Sequence, residues 1–367
     1  MLYLIKSLLI DTLCRLFHIR RKPVVIQMPV TSRCNSRCKT CNIWEIKEKS
    51  DIDPDTLRKV LQDDYFSEVR SVGINGGELT LIKHPEEIIN ALLVLKKLDY
   101  IHIISNGLLP DRLLSLLEKI KQITVKHNVK LGLTLSVDGV GSVHDEVRGI
   151  KNCFERTKKL MDELAQNSKC YCDVMDIGCT LSRYNIPYVQ QTDSFFSGYP
   201  FTITYHLAVP NKRIYTFDRY DYYVLEDERS NLLATEFFYG KFLKTSFSKQ
   251  ARIKFRYFAN YYFLKKKGYG RLSQCSYLNR DVTIDENLDI FLCATASDRI
   301  ENLQKKTPAE LYKQGSFDEM QRQTSQYCNT CIHYVDLPNL KGVVLFMCEI
   351  LNYRWSWGNK YKFLSKW

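Results

Sequence analysis

The sequence Cys34-Asn35-Ser36-Arg37-Cys38-Lys39-Thr40-Cys41 places three cysteines on one short stretch, directly after the apolar run 24–30. Three thiolates on one tight loop can hold three corners of an iron–sulfur cube and leave the fourth iron without a protein ligand. A purely structural metal site normally closes its coordination with a fourth ligand. The loop therefore predicts a reactive metal centre, with a zinc knuckle or a chance cluster of cysteines as the alternatives.

The composition is that of a globular protein in a reducing compartment. The 367 residues, 45% hydrophobic and 26% charged, are enough for one large domain and a smaller one. The 13 cysteines are odd in number and occur in short-range pairs, which favours metal ligation in the cytosol over a secreted disulfide framework. The net charge of +12 indicates an anionic partner: a phosphorylated substrate, an acidic membrane surface or nucleic acid.

Residues 24–210 alternate between strand-like and helix-like patterns. Two of the helical patterns begin at Asp53-Pro54 and His84-Pro85, with proline at the first helical position. Strands that alternate with helices predict an α/β fold with a parallel sheet, curved or closed, and with ligands at the carboxyl ends of the strands. The predicted strands are 24–30, 69–74, 100–105, 131–137, 173–181 and 201–207, and the predicted helices are 54–63, 85–98, 111–126, 152–166 and 186–195.

The cysteine loop, with Trp44 three residues after its last cysteine, resembles the radical S-adenosylmethionine (radical SAM) enzymes. The resemblance implies a partial (β/α)6 TIM-like barrel over residues 24–210. It also implies a [4Fe–4S] cluster at Cys34, Cys38 and Cys41, with S-adenosylmethionine bound through the open iron. In this family an electron, here from a flavodoxin- or ferredoxin-type donor, cleaves the cofactor to a 5′-deoxyadenosyl radical that abstracts hydrogen from the substrate.

Polar stretches at the predicted strand ends resemble the cofactor-binding motifs of the same family. Gly76-Gly77-Glu78 resembles the motif for the amino group of the cofactor, with the glycines allowing backbone to come close to a ligand. Arg148 would pair with the cofactor carboxylate, or else form a surface salt bridge. The other positions that the resemblance assigns to the cofactor are Ser105, Asn106, Ser136, Asp138 and Thr180.

Two segments outside the barrel each have two interpretations. Residues 1–23 predict an amphipathic helix that either lies on an anionic membrane or packs across the floor of the barrel. A membrane-crossing helix is not predicted, because no span approaches the roughly 20 apolar residues that it needs. The expected location is the cytoplasm, free or peripheral at the inner face of the membrane. Residues 211–272 mix aromatic and basic residues, which favours a helical connector over a nucleobase-binding surface, so no nucleic acid is expected.

Residues 273–367 carry a second group of cysteines. A predicted β-hairpin that turns at Glu286-Asn287 has a cysteine at each end, and a C-x2-C pair follows it. This arrangement resembles the shorter, twitch version of the SPASM extensions that hold an auxiliary [4Fe–4S] cluster, although Leu288 replaces the usual glycine. A zinc ribbon is the alternative, and Cys348 is either a spare buried thiol or a displacing ligand. The candidate ligands are Cys275, Cys293, Cys328, Cys331 and Cys348.

The substrate class has two enzymatic interpretations. The basic charge, the single auxiliary cluster and the amphipathic N-terminus favour C–H abstraction on a sugar, cyclitol or glycolipid, with oxidation as the outcome if the auxiliary cluster accepts an electron. Epimerisation follows instead if a thiol such as Cys179 returns hydrogen to the opposite face. Maturation of a ribosomally made peptide is the alternative, disfavoured because only 23 residues precede the first strand. A noncatalytic iron–sulfur or RNA-binding protein is the interpretation from another class.

Overall fold

Six parallel strands form the body of the protein in the computed structural model, which describes residues 20–356, without the side chains of 249 and 353–356. The predicted N-terminal helix falls almost wholly within residues 1–19 and, with Cys14, lies outside the described residues. Every strand predicted in residues 24–210 is present, with ends shifted by at most two residues. The strands are β1 (Val25–Pro29), β2 (Ser71–Asn75), β3 (Tyr100–Ser105), β4 (Lys130–Ser136), β5 (Val174–Leu181) and β6 (Thr202–Leu207).

One continuous sheet joins the barrel strands to the C-terminal hairpin. Its order is β6-β5-β4-β3-β2-β1-β7-β8-β9, in which the added strands are β7 (Val282–Ile284), β8 (Asp289–Phe291) and β9 (Glu301–Asn302). Strand β7 pairs parallel with β1, whereas β8 and β9 continue the sheet antiparallel. The fold is therefore the expected α/β partial barrel, open between β6 and the C-terminal strands. The extension of the barrel sheet by the hairpin was not predicted from the sequence.

The helices between the strands begin largely where the sequence predicts. Asp53 caps the first helix by accepting the Thr56 N–H, and Pro54 and Pro85 occupy first-turn positions that need no N–H donor. The barrel helices are α1 (Pro54–Leu61), α2 (Pro85–Leu92), α3 (Pro110–Lys126), α4 (Ser142–Arg148), α5 (Cys153–Tyr171) and α6 (Val189–Phe196). Helix α2 ends at Leu92, earlier than predicted, and α4 was missed.

The two faces of the parallel strands differ in polarity. On the helix-facing side, residues such as Ile26, Ile74, Leu133 and Ile177 are completely buried. Successive side chains of a strand alternate between faces, so the strand register identifies the residues on the other side. We call that side the inner face and define it by Gln27, Gly73, His102, Thr134, Asp176 and His206. The barrel thus encloses polar side chains and not a conventional apolar core.

The connector is helical and its aromatic residues are mostly internal. Helix α7 (Glu228–Lys244) packs against α8 (Phe247–Lys265), and Phe238, Phe242 and Phe258 are at most 2% exposed. Burial of these rings stabilises the helix pair and makes them inaccessible to nucleobases, in agreement with the helical interpretation. The remaining helices are α9 (Ser276–Asn279), α10 (Pro308–Lys313), α11 (Ser316–Ser325) and α12 (Leu340–Ser356). Residues 20–356 contain no helix that is long and apolar enough to cross a membrane.

The turn of the C-terminal hairpin corrects one detail of the sequence analysis. Leu288 itself adopts the left-handed conformation, with φ of 63°, where the family's usual glycine would stand, whereas the turn was expected at Glu286-Asn287. The turn is held by Asp285, whose carboxylate accepts the N–H groups of Asn287 and Asp289. The Leu288 side chain is 2% exposed, so its burial offsets the conformational cost of a positive φ.

Candidate active site

The loop of Cys34, Cys38 and Cys41 is built onto the end of β2. The N–H of Gly77 donates to Thr31 O, and the N–H of Glu78 donates to Arg33 O, both at 2.7 Å. A Cβ on Gly77 would lie 1.8 Å from Arg33 O, and one on Gly76 would lie 2.6 Å from Thr31 O. The close approach that these glycines permit is therefore to the backbone of the cysteine loop, whereas the sequence analysis assigned it to a ligand.

A second side of the cysteine loop packs on the C-terminal end of α4. The N–H of Arg37 donates to Arg148 O at 2.9 Å, and Ser36 Oγ donates to the same oxygen at 3.2 Å. Gly149 ends the helix with φ of 66° and lies so near the loop that a Cβ would be 2.3 Å from Arg37 O. The segment around Arg148 thus fixes the loop through its backbone as well as through its side chain.

The connector, residues 211–272, supports a third side of the cysteine loop. Sequence patterns could not predict this contact. Arg219 donates to Lys39 O at 3.0 Å and also to the side-chain oxygen of Asn42. The backbone N–H of Asn42 donates to Ile214 O at 3.2 Å. An isolated Arg219 in an aromatic and basic segment carries no motif, so only the fold reveals that it positions the cysteine loop.

The three thiols of the loop are close enough to influence one another. Burial raises the pKa of the Cys34 thiol to about 11 and that of Cys41 to about 12, and the negative charge of Cys38 adds to both shifts. Residues 20–356 contain no three His, Cys, Asp or Glu side chains close enough to bind one metal ion directly. The cysteines of an iron–sulfur cube bind separate irons and need no such convergence, so the loop fits a cube.

Glu78 is the centre of a buried polar network beside the loop. It is 1% exposed and accepts hydrogen bonds from Ser105 Oγ and from the N–H of Asn106, both at 2.8 Å. The side-chain amide of Asn106 in turn donates to Asn35 Oδ1 within the cysteine loop at 2.8 Å. These residues from two neighbouring strand ends are therefore brought together at the loop, as their assignment to one cofactor requires.

Asp138 and Arg148 form a buried ion pair at the next strand ends. Arg148 Nε lies 2.9 Å from Asp138 Oδ2, and Arg148 Nη1 lies 3.7 Å from Cys38 Sγ. Burial alone would lower the pKa of Arg148, but the charges of Asp138 and Cys38 raise it above its usual range. The other oxygen of Asp138 accepts the N–H of Thr180 at 2.8 Å, while Ser136 ends β4 on the inner face. Arg148 is thus a buried cation at the cysteine loop and not a surface salt bridge.

Residues 28–185 match the family model described as the radical SAM superfamily. Over these residues the chain is similar to a radical SAM domain. This domain covers the cysteine loop, the Glu78 network and the Asp138–Arg148 pair, all of which lie at the carboxyl ends of β1 to β5. A radical SAM domain uses a [4Fe–4S] cluster and S-adenosylmethionine, and the three coupled thiols with the neighbouring cation fit both.

Solved structures share the fold of this chain at low sequence identity. One is described as native anSMEcpe with bound AdoMet and Cp18Cys peptide, with 17% identity, a TM-score of 0.57, and 91% of this chain and 97% of the other covered. Another is SuiB of Streptococcus suis bound to S-adenosylmethionine, with 14% identity, a TM-score of 0.54, and coverage of 82% and 68%. No curated protein matches the sequence.

Cys179 is placed differently from its predicted role as hydrogen donor. It pairs in register with Tyr205 and shares its face of the sheet, and Tyr205 reaches outward to donate to Asp193 of α6 at 2.7 Å. Cys179 is 1% exposed and burial raises the pKa of its thiol. Because strand neighbours alternate between faces, Cys179 points to the helices and not to the inner face.

Four C-terminal cysteines form a second group. Burial raises the pKa of Cys328 to about 12, with further contributions from Cys275, Cys331 and Cys293, so the four side chains are mutual neighbours. Cys275 precedes α9 and Cys293 follows β8. Cys328 begins a 3₁₀ turn, Cys328–Thr330, and Cys331 follows that turn. Cys348 instead lies exposed on α12, so the suggestion of a buried thiol is wrong.

Arg271 holds the loops of this second group together. The guanidinium donates to Ser273 O, Gln274 O and Cys331 O at 2.8 to 3.0 Å, and also to Tyr334 O. These carbonyls belong to the loop before Cys275 and the loop around Cys331, which are about sixty residues apart in sequence. Arg271 is 8% exposed and was not recognised from the sequence.

Proposed function

We propose that the chain is a radical SAM oxidoreductase that acts on a sugar, cyclitol or glycolipid. The polar inner face of the barrel, on the strands that lead to the loop of Cys34, Cys38 and Cys41, is the observation that supports this proposal. A site that binds hydroxyl-rich substrates needs hydrogen-bonding groups along its wall, and unpaired polar groups would disfavour an apolar substrate. When bound, the cluster and S-adenosylmethionine supply a radical that removes hydrogen from the substrate.

The residues of the chain orient the cofactor and exclude water. Arg148, buried beside Cys38, is the cation for the cofactor carboxylate, and Asp138 fixes its orientation. Glu78, which Ser105 Oγ and the N–H of Asn106 hold in place, would be the acceptor for the cofactor amino group. The other assigned positions, Ser105, Asn106, Ser136 and Thr180, surround the same strand ends.

The second cysteine group favours oxidation over epimerisation. Cys275, Cys293, Cys328 and Cys331 would hold an auxiliary [4Fe–4S] cluster with all four corners occupied by protein ligands. Such a cluster would supply an acceptor for the one electron that, together with one proton released to solvent, must leave the substrate after hydrogen abstraction to complete an oxidation. The thiol suggested for epimerisation, Cys179, faces the helices. The twitch interpretation of the C-terminal region is part of this proposal.

Peptide maturation is the second candidate, because the solved structures with the same fold include a peptide-bound form of anSMEcpe and a precursor-bound form of SuiB. The decisive experiment uses anaerobically reconstituted protein with S-adenosylmethionine and dithionite, or a flavodoxin- or ferredoxin-type reductant. We expect 5′-deoxyadenosine, with formation stimulated by a panel of nucleotide sugars or cyclitols and not by cysteine- and serine-containing peptides. Stimulation by peptides alone would favour the second candidate, and no cofactor cleavage would contradict both.

Peripheral binding to an anionic membrane is also part of the proposal. Leu340, Val344, Met347 and Leu351 lie on one side of α12 and are 40 to 82% exposed. The sequence from the last turn of this helix onward has tryptophans and lysines at positions 355, 357, 360, 362, 366 and 367, which are the residue types of interfacial anchors. An exposed apolar stripe followed by such residues matches the chemistry of a headgroup boundary.

Replacing two stripe residues tests this binding. In vesicle flotation, Val344→Asp with Leu351→Asp should shift the protein from vesicles containing phosphatidylserine to the soluble fraction, because charged groups are costly at the apolar boundary. A matched pair of exposed residues at the end of α11, outside the stripe, Gln323→Asp with Gln326→Asp, should float like wild type. Equal flotation of both double variants would rule out α12 as the membrane contact.

A further inference from the structure

A short turn at the start of the connector lies between the two groups of cysteines. We define it as the strap, residues 211–216, which follows β6 along the chain. Its backbone forms hydrogen bonds with the cysteine loop and with the loop after Cys293. The strap is therefore a direct connection between the loop of the radical site and the second cysteine group.

On one side, the strap holds the end of the cysteine loop. Ile214 O accepts the backbone N–H of Asn42 at 3.2 Å, and Tyr215 O accepts the side-chain amide of the same residue at 3.0 Å. Asn42 directly follows Cys41 in the sequence. Two hydrogen bonds from the strap thus fix the residue next to the last cysteine of the loop.

On the other side, the strap holds the loop that follows Cys293. The N–H of Lys212 donates to Thr295 O at 2.9 Å, and the N–H of Arg213 donates to Ala294 O at 3.3 Å. These two carbonyls belong to the first two residues after the cysteine. The position of Cys293 therefore depends on the position of the strap.

The side chain of Lys212 extends the contact to a second loop of the same cysteine group. Its Nζ lies 2.8 Å from Asp298 Oδ1 and 5.7 Å from the centre of the Tyr327 ring. Tyr327 immediately precedes Cys328. A cation that is paired with a carboxylate and lies against an aromatic ring joins both loops to the strap.

The strap has a defined shape of its own. Asn211 is 6% exposed; its side-chain oxygen accepts the N–H of Arg213 at 2.9 Å, and its carbonyl oxygen accepts the N–H of Thr216 at 3.0 Å. Tyr215 adopts a left-handed conformation with φ of 56°, and its N–H donates to Lys212 O at 3.1 Å. A turn with these internal hydrogen bonds can carry a displacement from one side to the other.

A buried ion pair connects the strap to the C-terminal hairpin. Arg213 Nη2 lies 2.9 Å from Glu286 Oε2 in the hairpin turn, and the two side chains are 11% and 9% exposed. The Nε of Arg213 is also buried and donates to no group that the structure describes. Such a pair adds little stability compared with apolar side chains of similar size, and an unsatisfied donor adds to its cost. The pair is directional, however, so it can define a position.

We propose that Arg213 is a positioning residue that, through Glu286 and the strap, fixes the second cysteine group relative to the cysteine loop. The proposal rests on the proposed function, in which the substrate loses a hydrogen at one site and an electron to the other. Both steps need the two sites at a defined spacing, because a displacement of about 1 Å in a reacting group can slow a reaction about a hundredfold.

Glu286→Gln tests this connection from the hairpin side. Hydrogen exchange, followed by mass spectrometry on anaerobically reconstituted protein, reports the protection of the backbone amides of residues 36–42. We expect these amides to exchange at least about fivefold faster than in wild type, since loss of the charged partner of Arg213 loosens the strap. Unchanged exchange in the cysteine loop, with any increase confined to the hairpin, would overturn the proposal.

Arg299→Gln is the matched control in the same region. It breaks the ion pair between Arg299 and Asp289, which are 3.3 Å apart, and the Arg299 side chain is 58% exposed and makes no contact with the strap among those that the structure describes. Its cysteine loop should exchange like that of wild type. Faster exchange in this control as well would assign the effect to a general loosening of the hairpin, which contradicts a specific role of Arg213.

The double variant Arg213→Met with Glu286→Leu separates position from stability. Its free energy of unfolding should equal or exceed that of wild type, because apolar side chains replace a buried ion pair. Exchange in the cysteine loop should nevertheless stay fast, and the magnetic interaction between the two reduced clusters, read by electron paramagnetic resonance, should shift, since apolar contacts are not directional. Wild-type protection and an unchanged interaction in this variant would show that the pair only stabilises the fold.

The same samples are assayed for 5′-deoxyadenosine with S-adenosylmethionine and dithionite. Its absence from wild type would contradict the proposed radical function. The exchange measurements do not depend on cofactor cleavage, so they would still decide whether the strap connects the two groups of cysteines.

Discussion

A chain with Cys34, Cys38 and Cys41 replaced by alanine should retain about half of the iron of wild type, that is about four of eight irons per chain. It should form no 5′-deoxyadenosine from S-adenosylmethionine and dithionite. The reason is that the three cysteines would be the protein ligands of one cube, and alanine has no donor atom for iron. The remaining irons belong to the second group, whose four cysteines are unchanged. Iron and sulfide titration with chromatography of the nucleoside product measures both effects.

Cys170→Ala is the matched control for this variant. Cys170 is exposed near the end of α5, so its replacement should leave iron content and cofactor cleavage unchanged. Retention of all the iron by the triple variant would show that the loop binds none. If wild type contained zinc instead of iron, the cysteine loop would be interpreted as a structural metal site and not as a radical site.

Much of the fold follows from local sequence signals. Pro54 after Asp53 and Pro85 after His84 begin helices because proline needs no N–H partner at that position. The strands are apolar, β-branched runs whose helix-facing residues are buried. Such signals act within a few residues, so they are visible without knowledge of the partner strands.

The contacts that hold the site together depend on residues far apart in sequence. Arg219 reaches the backbone of Lys39, and Arg271 connects the loop before Cys275 to Cys331, but neither arginine has a distinctive sequence neighbourhood. The parallel pairing of β7 with β1 is equally invisible, since nothing in the hairpin specifies the edge that it joins. Long-range packing decides these features, and local patterns do not encode it.

The orientation of a side chain was the other source of error. Cys179 was suggested as a hydrogen donor, a role that needs its thiol to face the cavity, and the strand period of two decides its face. The register with Tyr205 assigns it to the helix side. The motif glycines are instructive in the same way: the motif predicted a close approach correctly, but only the structure shows that Gly77 approaches the cysteine loop.

Gly77→Ala should therefore remove the cluster without touching any cysteine. The new Cβ would lie 1.8 Å from Arg33 O. The positions of both atoms are fixed by the backbone, so either the segment after β2 or the cysteine loop must move. We expect the clash to destabilise this contact by an amount on the order of 3 kcal/mol. The two hydrogen bonds from the N–H groups of Gly77 and Glu78 to the loop are too weak to offset that destabilisation. Loss of about four irons and at least a hundredfold decrease in 5′-deoxyadenosine formation would follow, because a displaced Cys34 no longer shares the geometry of Cys38 and Cys41.

Gly240→Ala is the matched control, since it makes the same chemical change inside α7, where the structure shows no atom within 4 Å of the new Cβ. It should raise the free energy of unfolding by about 0.5–1 kcal/mol because alanine is the better helix former, and it should leave iron content unchanged. Denaturant unfolding and iron titration of both variants separate a local clash from a general intolerance of alanine. If Gly77→Ala retained full iron and full cofactor cleavage, the contact between Gly77 and Arg33 could not be what positions the cysteine loop, and the support would have to come from Arg148 and Arg219 alone.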